Sequence, residues 1–312
     1  MLHEFAVDPE CMATLDALRR ITDHCALHLG RFVSDFARRR WESVVWETLK
    51  PQLTFRAEQQ LTEVLAQLQR RGGLINTGRR FQRGISWIDN ALQQHGEKPF
   101  RAIVAGVNPT QEGCVLLVDD VTPEADHWRV QTEVRVARTS ADLSACVRPL
   151  LHLSSEVLFV DPHFAPDTSR YQESLEAFLA AACEGGRRYT RLEYHTKIRG
   201  KFEDDVARTN WIDTFRGDCR NQLPRRVPNG IPLRVVLWNE KPDGDEMHAR
   251  YVMTERGAIR IEKGLDIGHP NQTTDISLVA PGVYRQRWND LQRDATTYEF
   301  VEEVEIVGTR HC

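Results

Sequence analysis

From Phe100 onward the chain alternates short, β-prone apolar runs with single helical patterns, and glycine or proline closes most of them. Strands are expected at Phe100–Ala105, Cys114–Asp119, Val130–Val136, Val157–Val160, Arg191–His195 and Leu233–Trp238. Further strands are expected through Val252 and Met253, at Gly257–Ile261 and Ile276–Val279, and at the end over Glu299–Val307. Helical spacing fills the gaps at Ser140–Leu151, Tyr171–Cys183, Glu203–Gln222 and Val283–Arg293. A strand followed by one helix and another strand packs back on itself in one hand only. This grammar therefore implies a mainly parallel α/β sheet with helices on both faces.

The first hundred residues read differently. Leu15, Leu18, Ile21 and Cys25 recur at three- and four-residue steps, as do Phe32 and Phe36, then Val44, Val45 and Leu49 before Pro51. Leu61, Val64, Leu65 and Leu68 form one stripe between Ala57 and Arg70, stopped by Gly72-Gly73. Phe81, Ile85, Ile88 and Leu92 continue to Gly96. The expectation is a helical N-terminal region, residues 1–98, and an α/β domain over 99–312.

The chain is 312 residues long with a net charge of −4, so no global attraction to nucleic acid exists. Arginine is nevertheless clustered at Arg38–Arg40, Arg70-Arg71, Arg79, Arg80 and Arg83, and again at Arg187-Arg188, Arg191, Arg216, Arg220, Arg225 and Arg226. Such clusters are either faces paired to nearby carboxylates or a track for phosphates. No apolar run of about 18 residues exists to span a membrane. The N-terminus lacks a basic region followed by an apolar run, so a cytoplasmic location is expected. Seven scattered cysteines without a Cys-x-x-Cys pair read as reduced thiols, and neither metal nor cofactor is expected. Walker-type, dinucleotide-binding and serine-hydrolase motifs are absent, which argues against those enzyme classes.

Three strand ends carry polar pairs at period two: Asp161 and His163, His195 and Lys197, His248 and Arg250. Open α/β sheets collect ligands at strand ends, so these six residues are candidates for one crevice. On a strand His248 and Arg250 share a face, placing an imidazole beside a guanidinium, a pairing suited to phosphate. Trp211 and Phe215, flanked by Arg208, Arg216 and Arg220, read as a buried helix face before a base-stacking one.

The stretch His248-Ala-Arg250 to Glu255 resembles the His-x-Lys-x4-Asp signature of the phospholipase D superfamily, with Arg250 for lysine and Glu255 for aspartate. The Gly-Ser-x-Asn part of that signature is missing. A closer likeness is to a degenerate branch, the C-terminal domain of MIT-domain proteins. It rests on His248-Ala-Arg250, Gly257, Ile259-Arg-Ile261 and Gly264-Leu265-Asp266, with Val157–Val160 running into Asp161-Pro162-His163-Phe164. The resemblance covers about residues 128–312. It implies a single half of a phospholipase D-like αβα sandwich, completed by a homodimer with the His248 segments near the two-fold axis. It also implies a metal-free covalent mechanism. His248 attacks phosphorus, the partner's His248 protonates the leaving oxygen, and Arg250 holds the non-bridging oxygens. Glu255 or Asp266 orients an imidazole.

These readings favour a protein that binds, and in its active form cleaves, a nucleic-acid phosphodiester, with prokaryotic defence or genome maintenance as the expected setting. The alternative is a non-catalytic dimeric adaptor whose N-terminal helices bind a protein partner. In that case Asp266 pairs with Arg250 and the motif is a relic. A third option is recognition of a phosphorylated small molecule in the same crevice.

Overall fold

The computed structural model describes every residue except Arg187, Ile231, His311 and Cys312. The Arg187-Arg188 pair and the seventh cysteine therefore lie partly or wholly outside the described residues. The chain divides into two compact units, Met1–Thr132 and Glu133–Cys312.

The first unit is α/β rather than helical. Its elements are β1 (His3–Val7), α1 (Leu15–Thr22), β2 (Arg31–Ser34), α2 (Trp41–Leu49), α3 (Phe55–Arg70), β3 (Leu74–Ile75), α4 (Trp87–Glu97), β4 (Ile103–Ala105) and β5 (Val115–Leu117). The strands form one parallel sheet in the order β3-β2-β1-β4-β5. Phe5 and Val7 pack with Leu18, Trp41, Leu65 and Trp128 on one face, while Ala6 packs with Phe36, Ile88 and Ile103 on the other. A strand buried on both faces has no polar alternation to betray it. That is why β1 was invisible to periodicity, and why Phe32 and Phe36 passed for a helical step although Phe32 lies in β2. Gly72-Gly73 does end α3, but Gly73 is also needed for close approach, since a Cβ there would stand 2.3 Å from the Cys25 carbonyl oxygen.

The expected boundary at 98/99 moves to 132/133. Ala6 pairs with Ile103 and Val7 with Val104, so β4 belongs to the N-terminal sheet. Trp128 reaches back to it as well, with its ring 4.9 Å from Phe5 and its carbonyl accepting from Arg31 Nε at 2.9 Å.

The second unit contains β6 (Glu133–Ala137), α5 (Ser140–Leu153), β7 (Glu156–Val160), α6 (Ser169–Glu184), β8 (Arg191–Lys197), α7 (Asp205–Gln222), β9 (Leu233–Asn239), β10 (Tyr251–Thr254), β11 (Gly257–Ile261), β12 (Thr273–Leu278), α8 (Pro281–Asp290) and β13 (Glu299–Ile306). Its sheet order is β13-β9-β8-β7-β10-β11-β12-β6. Only β7, β8 and β9 run parallel, so the sheet is mixed, not mainly parallel. The β10–β11 hairpin and the returns of β12, β6 and β13 supply antiparallel strands on both flanks. Both faces are covered. Phe159 stacks on Phe178 of α6, while Leu158, Val160 and Met253 pack with Tyr284 and Trp288 of α8.

Cys11, Cys25, Cys114, Cys146 and Cys219 are free thiols, whereas Cys183 is disulfide-bonded, which corrects the expectation of uniformly reduced cysteines. No helix of the described residues is long and apolar enough to cross a membrane.

The boundary is testable. A 1–98 fragment should fail to unfold cooperatively in urea, while a 1–132 fragment should do so. Trp128→Ala in that fragment should cost about 3–5 kcal/mol, the range for emptying a buried tryptophan site.

Candidate phosphate-binding site

β7 and β8 present their carboxyl ends at one end of the second sheet, and β10, running the opposite way, begins there. Val160 pairs with His195 on one side and with Tyr251 on the other. One residue further, the Asp161 amide donates to the His195 carbonyl at 3.0 Å, and the Ile261 amide donates to the Arg250 carbonyl at 3.0 Å. Thr196, Asp161 and Arg250 therefore stand level across three strands. Directly opposed residues share a face, so these three lie on the Phe159 side. Glu193, His195 and Lys197 fall on the other side.

Asp161 is fully buried. Its Oδ1 accepts from the His163 amide and its Oδ2 from the Leu265 amide, each at 2.8 Å. Burial pushes its carboxyl above the usual range, and the two amides and nearby Arg250 oppose that push. The Leu265 bond ties β7 to the Gly264-Leu265-Asp266 turn. Gly264 has φ +119°, and a Cβ there would stand 2.7 Å from Asp266 Oδ1 and 3.2 Å from Asp161 Oδ2. Asp266 is itself buried and pairs with Arg138 at 2.5 Å and Arg170 at 3.6 Å. It does not pair with Arg250, whose Nη1 donates to the Glu262 carbonyl at 3.3 Å.

Several donors around this turn are unused. Arg250 Nε, Arg138 Nε, Tyr194 Oη and Thr196 Oγ1 are buried without a hydrogen-bond partner. Burial raises the Tyr194 and Tyr171 hydroxyls, with the Asp161 and Asp266 charges adding to it. Outward of these lies an exposed rim. His163 is held below its ordinary value by partial burial and by Arg250, Lys197 and Arg199, against the pull of Asp161. Arg199 Nη1 donates to the His163 carbonyl at 3.1 Å. Lys197 donates to Glu240 at 2.6 Å, and Glu240 also accepts from the Met247 amide at 2.6 Å, fixing the segment before β10. Among the described residues no group of three or more His, Cys, Asp or Glu is placed to hold a metal ion.

Three expectations need correction. His248 is not on a strand, because β10 starts at Tyr251 and residues 245–250 are irregular. Its imidazole is exposed, with Nδ1 at 3.2 Å from the Glu246 carbonyl; a proton on Nδ1 would leave Nε2 free.

His195 does not face the crevice. The Trp238 indole can only donate, and it does so to His195 Nδ1 at 2.9 Å. The His195 proton is therefore on Nε2, which lies 3.0 Å from Glu193. Burial lowers the pKa of this imidazole, against the pull of Glu193. Burial would raise Glu193, but the bonds from His195 and Arg191 outweigh it and hold that carboxyl at about 2.

Glu255 sits at the far end of β10, where Thr254 pairs with Val157. Its carboxylate accepts from the Ser155 amide at 3.0 Å and the Glu156 amide at 3.1 Å, which caps the start of β7. Four strand residues separate it from Arg250, on the order of 16 Å at 3.3 Å per residue.

The sequence reading also missed Arg138, Arg170, Tyr171, Tyr194, Thr196 and Arg199. Arg199, two residues after Lys197, continues the polar period of β8 and was the visible one. Arg138 and Arg170 carry no local signal, since their partner Asp266 is distant in sequence.

No protein-family model matches this chain, and no curated protein matches it. Among solved structures it is similar to TrmBL2, an archaeal chromatin protein described as showing a novel mode of DNA binding. That similarity has 10% identity and a TM-score of 0.27, over 58% of this chain and 57% of that one. It is also similar to polyphosphate kinase from Porphyromonas gingivalis, with 15% identity and a TM-score of 0.29 over 54% of this chain. The chain thus spans 57% and 27% of the lengths of those two proteins. At such scores neither likeness assigns a fold or an activity.

Gly264→Ala should destabilise the second unit by about 1–3 kcal/mol, the cost of a strained left-handed backbone, as read from a urea midpoint. The pH response has a definite sign. His195 binds its proton less readily folded than unfolded, so stability is full above its unfolded value of 6.5 and falls as pH drops below it. Denaturation midpoints should fall between pH 7 and 5, and His195→Gln, which keeps an acceptor for Trp238, should flatten that slope.

Proposed function

We propose that the second unit binds the phosphodiester backbone of nucleic acid at the sheet end formed by β7, β8 and β10. The observation that carries this reading is the buried Arg250 Nε without a partner, near His163 and Arg199 at the end of the sheet. A buried donor left unpaired costs on the order of 1–3 kcal/mol, and an anion entering from the rim would recover it. Charge points the same way. Asp161 and Asp266 are outnumbered by Arg138, Arg170 and Arg250, and the segment leaving β8 adds half-buried Arg199 and exposed Lys201.

Binding is favoured over cleavage because the carboxylates expected to orient His248 are engaged elsewhere, Glu255 on the Ser155 and Glu156 amides and Asp266 on Arg138. The phospholipase D-like sandwich and its two-fold homodimer belong to the same reading. They are supported by the chain order of the His248, Gly257 and Gly264-Leu265-Asp266 motifs. Light scattering on the purified protein checks the dimer.

The test is fluorescence anisotropy with single- and double-stranded DNA and RNA in EDTA at two salt concentrations. Arg250→Ala and Arg199→Ala should each weaken binding about tenfold irrespective of sequence and lower the salt slope by about one. His248→Ala should leave binding unchanged. Salt-independent or Arg250-independent binding would sink the proposal. EDTA-resistant cleavage lost in His248→Ala would replace it with a covalent phosphodiesterase.

A further inference from the structure

The first unit carries a second cationic site that the phosphodiester reading does not use. Its parallel order β3-β2-β1-β4-β5 reverses direction between β1 and β4. Sheets of this kind bind ligands in crevices outside the carboxyl ends of their strands. A cleft lies over those ends, lined by Pro9 and Glu10 after β1, Ala37, Arg38 and Arg39 after β2, and the segment from Phe81 to Trp87 after β3. Its volume of about 480 Å³ falls within the span for small-molecule sites.

The lining combines two chemistries. Arg38 and Arg39 share Glu47 at 3.1 and 2.7 Å, with Arg38 also 3.7 Å from Glu10. Both partners of each pair are well over a third exposed, so each is weakly held and exchangeable. Arg83 is exposed and has no ion-pair partner among the described residues. The apolar lining residues are Val44, Phe81, Ile85 and Trp87. Trp87 is anchored by its indole donating to the Phe36 carbonyl at 3.1 Å, and Phe81 by an edge contact with Phe36 at 5.4 Å. Two anchored aromatic rings and three arginines lining one cleft match a ligand that is flat and apolar at one end and anionic at the other.

We propose that this cleft binds a nucleoside phosphate of mononucleotide size. The base lies against Phe81 and Trp87, and the phosphate meets Arg83 with Arg38 and Arg39. Glu10, the single carboxylate in the lining, accepts from a ribose hydroxyl. No glycine-rich loop follows β1, so the phosphate is held by side chains rather than by a backbone cradle. An acidic turn, Asp8-Pro9-Glu10, stands where such a cradle would be.

Isothermal titration of the full chain with AMP, ATP, adenosine and inorganic phosphate tests the assignment. ATP or AMP should bind with a dissociation constant below about 1 mM, roughly −4 kcal/mol, and at least tenfold more tightly than adenosine or phosphate alone. Arg83→Ala should weaken nucleotide binding about tenfold. Arg20→Ala, outside the cleft, should not change it, and neither should Arg250→Ala in the other unit. Circular dichroism confirms that the variants are folded. The proposal is overturned if no nucleotide binds, if phosphate alone binds as tightly as AMP, or if folded Arg83→Ala binds like the parent.

Discussion

A carboxylate with no exposure to water must be given donors or a proton, and the polar end of the second unit is arranged around that demand. Asp161 takes one amide from its own chain two residues on and another from Leu265, more than a hundred residues away. The second bond pins the turn after β11 to the end of β7. It requires a left-handed glycine at 264 so that two carboxylates can approach the same backbone. Asp266 then imports Arg138 from the end of β6 and Arg170 from the first turn of α6. One buried acid thus determines which segments meet.

The same arrangement leaves positive charge over. Two buried acids face three arginines, and the arginine nearest the rim, Arg250, has an unused Nε. In a low-dielectric setting that surplus is felt strongly, whereas Arg199 and Lys201 on the segment leaving β8, nearer the surface, act more through water and salt. The division matches a site with a fixed inner contact and a screened outer field. The polar groups on the opposite face of β8 have a different task. His195 is locked between Trp238 and Glu193, stacks on the indole at 5.9 Å, and serves the core.

Arginine in the first unit shows how one residue type takes several roles. Arg79 is almost wholly buried against Glu4 at 2.8 Å and lies over the Phe100 ring at 3.6 Å, so it is structural. Arg70 pairs with Glu63 at 2.7 Å on an exposed helix face. Arg38, Arg39 and Arg83 share a cleft instead. Their spacing in sequence does not separate these roles, because the partners lie on other elements.

Local order was legible wherever an element is amphipathic or bounded by strong breakers. α3 with its closing Gly72-Gly73, α5, α6, β7, β9 and β11 follow from apolar spacing and breakers. The expectation that Asp161 with His163, His195 with Lys197, and His248 with Arg250 line one crevice rests on strand ends sharing an edge, and the register places Asp161 and Arg250 on one side of the sheet and His195 and Lys197 on the other. What the sequence alone could not decide is long-range pairing. β1 and β2 are buried on both faces and so carry no period. Residues 99–132 look like the start of the second domain because their strands resemble those that follow. Whether a histidine such as His195 or a carboxylate such as Glu255 faces a crevice or caps a neighbour depends on register and strand direction. Those are set by which strands lie side by side, and only the folded sheet contains that information.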